Sequence, residues 1–361
     1  MKRSFVNMNK KDLKIHIIGA GVSGLIAARV LENHGFSPVI IEATDRVGGR
    51  VKTDLIGGYR LDHGFQVLLT AYPAAQKYLN YEALELQKFL PGASIFLNNG
   101  QKLIGDPSRS PSLLFSTLFS GIGTISDKIR ILKLNLYLKK KSLTTIFAEN
   151  EQTTHSYLTN LGFSEEIITN FFKPFFSGIF LETKLETSSR MFEFVYKMFG
   201  EGHATLPKSG IEAIPKQLLE NLKTTTLKYN TKVETLKETE ITLKDGTCLK
   251  SDYTIIATEA SELVSNLKNQ STAWKSCVTL YFETDARVIA KKLIGLISKP
   301  GTLVNNIFYN SSLDARIKPA NELLSVTVID TQNLSHKVLI EAVKEELQSY
   351  CGITTTKLIK L

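Results

Sequence analysis

The sequence is poor in cysteine and in long apolar runs, and each shortage excludes a class of protein. Its 361 residues include only three cysteines, Cys248, Cys277 and Cys351, and none of them forms a CxxC pair. So few and so widely separated, they argue against a disulfide framework and against a zinc site, and they favour a reducing, cytoplasmic location. Residues 1–14 are polar and basic and do not resemble a secretory signal. The uncharged run at residues 110–126 is too short to predict a membrane span.

Acidic residues are also in the minority, with 35 against 44 basic residues and a net charge of +9. This excess permits attraction to anionic ligands, acidic lipids or nucleic acid. Because the sequence has no aromatic-basic RNA-binding motif, no nucleic-acid partner is expected. A solvated basic surface without a partner is the simpler interpretation. The length predicts two domains, and the composition is typical of a folded globular protein.

The first motif with chemical content lies near the N-terminus. Residues 14–18 form a β-branched run that predicts a buried strand, residues 25–31 predict a helix and residues 39–41 predict a second strand. Between the first strand and the helix stands Gly19-Ala20-Gly21-Val22-Ser23-Gly24. In such a βαβ unit Gly19 permits the tight turn, Gly21 lets a pyrophosphate approach the backbone, and Gly24 lets the helix pack on the strand. The helix N-terminus then offers N–H groups to the phosphates.

The second motif begins at Glu42, which closes the second predicted strand. A carboxylate at this position accepts hydrogen bonds from the ribose hydroxyls of an adenosine and repels a 2′-phosphate, so NADP is disfavoured. A solvated strand-end glutamate is the alternative. The segment that follows, residues 43–51, brings Arg46 and Arg50 and a glycine pair, and arginines form bidentate bonds to phosphate oxygens.

These two motifs at this separation resemble the FAD-binding family that includes monoamine oxidases, protoporphyrinogen oxidases and phytoene desaturases. The string Glu-Ala-x-Asp-Arg-x-Gly-Gly-Arg at residues 42–50 carries most of the resemblance. In that family a Gly-Gly-x-x-x-Asp-x-Gly stretch, here residues 57–64, leads the chain toward the flavin ring. Residues 206–211 look like the family's Pro-x-Gly-Met segment with Ile211 in place of methionine. Residues 231–233 look like the strand that contacts the adenine.

The resemblance implies that FAD is the cofactor and that it accepts a hydride from the substrate, so the protein itself supplies position and polarity. No catalytic residue and no metal ligand are assigned. His63, beside the expected flavin site, is an acid–base or electrostatic group or, more simply, a structural hydrogen-bonding residue. The predicted cofactor-binding residues are Gly19, Gly21, Val22, Ser23, Gly24, Glu42, Ala43, Arg46, Gly49, Arg50, Val51, His63, Gly64, Phe65, Gln66, Val233, Ala257 and Thr258.

The predicted fold is a Rossmann-like α/β FAD-binding domain, residues 1–75 and 205–265, interleaved with an α+β substrate-binding domain, residues 76–204 and 266–361. Residues 72–200 are expected to be helix-rich. They include a basic helix at 128–141, either an ordinary substrate-domain helix or one that contacts a membrane surface. The aromatic run at residues 171–176 predicts a core, or else the wall of an apolar pocket. Strands are predicted at residues 239–243 and 249–253 around a turn at 244–247, and at 254–258, 277–283, 302–309 and 323–329, with helices at 214–222 and 335–350.

Three functions remain open from the sequence. The first is an FAD-dependent oxidoreductase that takes a hydride from an apolar or amine substrate. The second is an NAD-dependent dehydrogenase, against which the arginines of residues 46–50 argue. The third is an incomplete family member, because the Gly-Asp segment expected near the C-terminus is not found in residues 261–361. Such a chain should bind FAD weakly through the adenosine end and show little turnover.

Overall fold

A computed structural model describes residues 10–64, 67–98, 100–107, 109–261, 263–264, 267, 273–313 and 321–361. The chain divides into two units, each assembled from separate stretches of sequence. Unit 1 combines the described parts of Met1–Thr53, Lys77–Leu84 and Ser209–Trp274, and unit 2 those of Asp54–Gln76, Glu85–Lys208 and Lys275–Leu361.

The elements are numbered along the chain. The strands are β1 (Ile15–Ile18), β2 (Val39–Ile41), β3 (Thr53–Ile56), β4 (Tyr59–Asp62), β5 (Leu68–Leu69), β6 (Gln87–Lys88), β7 (Gly92–Leu97), β8 (Gly100–Gly105), β9 (Ala204–Leu206), β10 (Thr226–Lys228), β11 (Val233–Leu236), β12 (Glu240–Leu243), β13 (Cys248–Lys250), β14 (Tyr253–Ile256), β15 (Val278–Thr284), β16 (Ile294–Ile297), β17 (Val304–Tyr309), β18 (Glu322–Val328) and β19 (Thr355–Lys360). The helices are α1 (Val22–Asn33), α2 (Pro73–Tyr78), α3 (Leu114–Leu118), α4 (Ile125–Lys140), α5 (Leu143–Ala148), α6 (Thr154–Asn160), α7 (Glu165–Ile167), α8 (Lys173–Phe180), α9 (Ser189–Glu201), α10 (Ala213–Glu220) and α11 (His336–Cys351).

Unit 1 is built on a four-stranded parallel sheet with the order β10-β2-β1-β14. Ile17 of β1 lies opposite Ile40 of β2 and Ile255 of β14, and Ile17 and Ile40 are fully buried. Helices cover parallel sheets on both faces, which is why β1 and β2 consist almost entirely of β-branched apolar residues. The predicted βαβ unit and the Rossmann-like fold class are confirmed. An antiparallel sheet, β11-β12-β13, completes the unit, with the predicted hairpin turn between β12 and β13.

Unit 2 contains a mixed seven-stranded sheet with the order β19-β15-β18-β17-β16-β7-β8. Its pairs are antiparallel except for β16 and β7, which run parallel. Helix α11 packs against one face of this sheet through Leu339, Val343 and Leu347. These residues are spaced i, i+4, i+8 and therefore lie on one side of the helix.

A second core in unit 2 gathers the aromatic run and the helices around it. Phe172, Phe176 and Phe192 are fully buried there, so the core interpretation of the run is confirmed for Phe172 and Phe176. A π-helical turn, Ile168–Phe172, precedes α8. Pro174 follows it and cannot donate a backbone hydrogen bond, which favours such a widened turn. No helix in the described ranges has both the length and the apolar character needed to cross a membrane.

Two features of the structure were not in the sequence-based expectation. Residues 72–200 are rich in helix, as expected, but they also contain the strands β6, β7 and β8. The signals for β7 and β8 were Gly92 and Gly100 at their starts, beside alternating apolar residues. In addition, Asp54–Gln76 groups with unit 2, whereas the predicted FAD-binding domain extended to residue 75.

Candidate cofactor site

The glycine loop between β1 and α1 has the geometry that its sequence requires. Gly19 adopts a positive φ of 101° and donates its N–H to the carbonyl of Ile41 at 2.8 Å. A Cβ on Gly24 would lie 2.0 Å from the Gly19 carbonyl oxygen, so only glycine fits there. A Cβ on Gly21, by contrast, would meet no atom within 4 Å. The space over Gly21 is therefore open, although the loop around it is tightly packed.

The second glycine motif lies directly against the first. The N–H of Gly48 donates to the carbonyl of Ala20 at 2.9 Å, and Gly48 forms a parallel bridge with Gly21. Gly48 needs its positive φ of 120°, and a Cβ there would lie 2.4 Å from the carbonyl oxygen of Val51. A Cβ on Gly49 would lie 3.4 Å from the Cα of Gly21. The two motifs recognised separately in the sequence thus form one backbone surface.

The Glu42 carboxylate holds this surface together. It is buried, its Oε2 accepts the N–H of Ala20 at 2.7 Å, and its Oε1 accepts both the N–H and the hydroxyl of Thr44 at 2.8 Å. A carboxylate offers about four acceptor positions, so three protein donors leave capacity for one more. Glu42 therefore positions the glycine loop in addition to the ribose contact predicted for it. Thr44, which shares this role, was missed in the sequence, although a hydroxyl two residues after a strand-end carboxylate is a common local partner.

The N-terminus of α1 and the end of β14 border the same loop. Helix α1 starts at Val22, followed by Ser23, and its cap residue Gly21 contributes no side-chain hydrogen bond. Helix N–H groups at such an end attract anions. Ala257 donates its N–H to the carbonyl of Ile18 at 2.9 Å, and a Cβ on Gly19 would lie 3.0 Å from its oxygen and 3.4 Å from the Cβ of Thr258.

The two arginines of the second motif contact protein groups. The Nε of Arg46 lies 3.3 Å from an oxygen of the buried Glu212 carboxylate, which Lys216 also approaches to 3.1 Å. The exposed Arg50 guanidinium lies 5.4 Å above the ring of Trp274. Glu212 was missed in the sequence, and the available signal was an acidic residue just before helix α10, where carboxylates are favoured.

The other predicted residues of unit 1 occupy two environments. Ala43 is exposed and Val51 half-buried beside the second glycine motif. Val233 is buried and packs with Ile18 and Ile41, so its side chain serves the core and only its backbone is suited to contact an adenine.

His63 and Gly64 belong to unit 2. The Nε2 of His63 lies 2.9 Å from Oδ2 of Asp54, and the ammonium of Lys360 bonds to the same carboxylate. This arrangement supports the structural interpretation of His63. Gly64 has a φ of 85°, a conformation that favours glycine. Phe65 and Gln66, also predicted to bind the cofactor, lie outside the described residues.

The residues of unit 1 fit the adenosine-pyrophosphate part of a dinucleotide. The open space over Gly21 leaves room for phosphate oxygens, the α1 N-terminus supplies N–H groups, and the Glu42 carboxylate lies beneath the loop that carries them. Within the described residues, no group of three or more His, Cys, Asp or Glu side chains is arranged to hold a metal.

Comparison with known proteins agrees with this geometry. The model of the flavin containing amine oxidoreductase family matches residues 22–358. The chain belongs to this family. The flavin in the family's description agrees with the FAD that was predicted, and the resemblance noted in the sequence is confirmed.

Individual relatives match shorter stretches. The chain is 26% identical over 168 residues to protoporphyrinogen oxidase 2 of Arabidopsis thaliana, covering 46% of this chain and 32% of that protein. It is 30% identical over 153 residues to the L-amino-acid oxidase BmooLAAO-I of Bothrops moojeni, covering 41% of this chain and 29% of that protein. The matches thus span about a third of these relatives' lengths. Among solved structures, an oxidoreductase from Methanosarcina mazei has the same fold, with a TM-score of 0.73, 18% identity and coverage of 96% of this chain and 86% of that one.

Proposed function

We propose that this protein is an FAD-dependent oxidoreductase that removes a hydride from an amine or an apolar substrate, breaking a C–H bond next to nitrogen or carbon. The observation that carries the proposal is the single backbone surface formed by Gly19, Gly21, Gly48 and Gly49, with open space over Gly21. Dehydrogenases that bind NAD need only the first glycine motif, whereas the second motif is typical of the FAD-binding family to which the chain belongs.

The chain's own residues hold and orient the cofactor in this proposal. The bound flavin supplies the redox chemistry by accepting the hydride, and oxygen or another acceptor takes the two electrons afterwards. The α1 N-terminus binds the pyrophosphate, while Glu42 fixes the N–H of Ala20 and offers its remaining acceptor capacity to a ribose hydroxyl. Arg46 and Arg50 lie in the segment after Glu42 and add positive charge for the phosphates.

An open depression on the surface of unit 2 favours the amine branch of the proposal. Its volume is about 410 Å³, within the range of small-molecule sites. The charged side chains that line it are Glu182, Glu186, Asp330 and Lys184, three carboxylates against one ammonium. Hydrogen bonds from the backbone N–H groups of Thr187 and Lys184 outweigh burial, which alone would raise the pKa of Glu182, and lower that pKa. This carboxylate therefore stays ionised near neutral pH, and a negative lining favours a cationic amine over an uncharged polyene.

The proposal is tested with the purified chain and two matched glycine variants. Gly21→Val should fold normally but bind little FAD, because its side chain would fill the open space over the loop. Gly200→Val is the control, since a Cβ at Gly200 also meets no atom within 4 Å and Gly200 lies on α9 in unit 2. Cofactor content is measured by flavin absorbance and thermal stability by circular dichroism. Full FAD occupancy in a folded Gly21→Val protein contradicts the assigned phosphate site.

Substrate class is tested by mixing the FAD-loaded protein, without oxygen, with primary amines, amino acids or polyenes. Bleaching of the flavin bands by amines alone supports the amine branch, and bleaching by polyenes alone supports the apolar branch. Binding of NAD in place of FAD supports the dehydrogenase alternative. Weak FAD binding with no reduction by any substrate supports the alternative of an incomplete family member.

A further inference from the structure

Helix α4 is apolar on two opposite sides, although the fold uses only one of them. Leu134 and Leu138 are buried in the aromatic core, and Asp127 on the same side of the helix is also buried. On the other side, Ile125, Ile129, Leu132 and Leu136 are 75%, 50%, 55% and 54% exposed. At 3.6 residues per turn these four positions fall within about 60° of one another, roughly 180° from the buried ones. A helix that only covers a core would carry polar residues there.

The exposed stripe continues onto the preceding short helix. Leu114, Phe115, Leu118 and Phe119 are 39%, 73%, 49% and 79% exposed. The ammonium of Lys128 donates to the carbonyl of Leu118 at 2.8 Å, which places the end of α3 beside the first turn of α4. We call the eight side chains together the apolar face: Leu114, Phe115, Leu118, Phe119, Ile125, Ile129, Leu132 and Leu136. Single exposed apolar side chains are common on soluble proteins, but eight neighbours mark an interaction surface.

The charge on helix α4 is mostly positive. Its residues 125–140 include five basic residues and one acidic residue. The acidic residue, Asp127, is buried, and its carboxylate accepts bonds from the backbone of Thr124 and from Ser164. On the helical wheel Lys128 and Lys139 lie on one flank of the α4 stripe and Lys133 and Lys140 on the other. The ammonium of Lys128 bonds to Leu118, but lysines in the other three positions can extend their apolar stems along the stripe and raise their ammonium groups above it.

We propose that the apolar face inserts into the surface of a lipid bilayer that contains anionic lipids. Apolar side chains between flanking lysines are the arrangement of helices that lie in the membrane interface. The charge decides against a second copy of this chain. A two-fold symmetric dimer through this face would bring the same lysines of both copies together, whereas anionic headgroups neutralise them. The inference stands on α3 and α4 alone and is independent of the proposed oxidoreductase function.

The test is flotation of the full chain with vesicles of phosphatidylcholine, with and without added phosphatidylglycerol. The chain should float with the anionic vesicles, and raised salt should weaken the binding. Phe115→Gln with Leu132→Gln should weaken it about tenfold or more, since both side chains lose burial in the bilayer. Each of Lys133→Gln and Lys140→Gln should weaken it about fivefold. Val338→Gln on α11 is the matched control, because Val338 is 52% exposed but outside the apolar face, and its binding should equal that of the wild type.

Circular dichroism establishes that each variant is folded, which these exposed positions allow. Failure of the wild type to bind vesicles of either composition overturns the proposal. Binding that is unchanged in the Phe115→Gln, Leu132→Gln protein overturns it as well. A dimer in light scattering that this double variant converts to a monomer, without vesicle binding, identifies a second copy as the occupant and also overturns it.

Discussion

Units 1 and 2 differ in whether the polar groups of their main clusters are already paired within the protein. In unit 1 the glycine loop leaves open space at Gly21, and the α1 N-terminus has no side-chain cap from Gly21. In unit 2 the Lys141 ammonium lies 2.6 Å from both Glu193 and Glu149, and the Tyr157 hydroxyl donates to Glu193. Burial alone would lower the pKa of Lys141, but the hydrogen bonds to Glu149 and Glu193 outweigh it and raise that pKa. The first arrangement is suited to receive a ligand, whereas the second is complete without one.

The largest effect should come from breaking the enclosed network of unit 2. Glu193→Ala leaves the buried Lys141 with Glu149 alone and removes the acceptor of Tyr157. The free energy of unfolding should fall by about 3–5 kcal/mol, because the buried Lys141 ammonium loses one of its two carboxylate partners and the Tyr157 hydroxyl loses its acceptor. Denaturant unfolding monitored by circular dichroism measures this change. Glu341→Ala, which removes an exposed ion pair with Lys344, is the control and should cost less than about 1 kcal/mol.

Asp127 is a second buried carboxylate in unit 2, and its contribution to the free energy of unfolding should depend on pH. Burial alone would raise its pKa, but hydrogen bonds from Ser164 and Thr124 outweigh burial and lower it. Asp127→Asn should reduce the free energy of unfolding at pH 7 by about 1–3 kcal/mol, the scale of a lost buried charged hydrogen bond. A lowered carboxyl pKa stabilises the fold above the unfolded pKa of about 3.9, and this stabilisation is lost as pH falls through the folded pKa. The difference between variant and wild type should therefore shrink below about pH 4 in acid titrations, and a constant difference would count against this account.

Two glycines of the same loop in unit 1, Gly24 and Gly21, should differ in how much their substitution lowers stability. Gly24→Ala should lower the free energy of unfolding by about 1–3 kcal/mol, because its Cβ would overlap the Gly19 carbonyl and the backbone must shift. Gly21→Ala should change stability by less than about 0.5 kcal/mol, the usual scale for an uncrowded site. Thermal unfolding of the cofactor-free protein distinguishes them. Equal destabilisation by both substitutions would show that a side chain at Gly21 is as crowded as one at Gly24.

The smallest effect is expected at Glu42, and it should appear in cofactor affinity. Glu42→Gln turns one carboxylate oxygen into an NH₂ group that faces the donors Ala20 N–H or Thr44 N–H. FAD binding should weaken by about 1–2 kcal/mol, and titration of the cofactor-free protein with FAD measures the dissociation constant. Thr44→Val, which removes only the hydroxyl donor, should have the weaker effect of the two. An unchanged dissociation constant in Glu42→Gln would show that neither the loop contact nor the ribose contact matters for binding.

The features that could be predicted are those for which the sequence allows only one backbone conformation. Gly19 and Gly24 can be placed from sequence because the turn at Gly19 needs a positive φ and a side chain at Gly24 would collide with the Gly19 carbonyl. The strands β1, β2 and β12–β14 follow for a similar reason, since β-branched runs bounded by glycine or turn residues have few alternatives, whereas β10 was not predicted. The contact between the two glycine motifs could not be predicted, because it depends on the tertiary path of residues 43–49.

The unit 2 hairpin of β3 and β4 was missed although its signal was present. Gly57 and Gly58 both have positive φ, 57° and 84°, as a two-residue hairpin turn requires. The family resemblance assigns these glycines to a path toward the flavin and does not reveal the local hairpin signal. The partner of Glu42 was missed for a different reason, because a carboxylate at a strand end has many possible donors and the sequence does not rank them. The location of the protein in the cell stays a prediction.

The pairing of β1 with β14 has a consequence for synthesis on the ribosome. β1 ends at Ile18, and the strand that covers its second edge begins only at Tyr253. At about 5–20 residues per second, roughly 10–50 s pass between the emergence of one strand and the other. During that interval one edge of β1, which is apolar except for His16, has no partner from its own sheet, which makes the nascent chain a substrate for chaperones that bind exposed strands. An N-terminal fragment made alone would remain in that state permanently, so a chain interrupted before residue 253 should accumulate as aggregate.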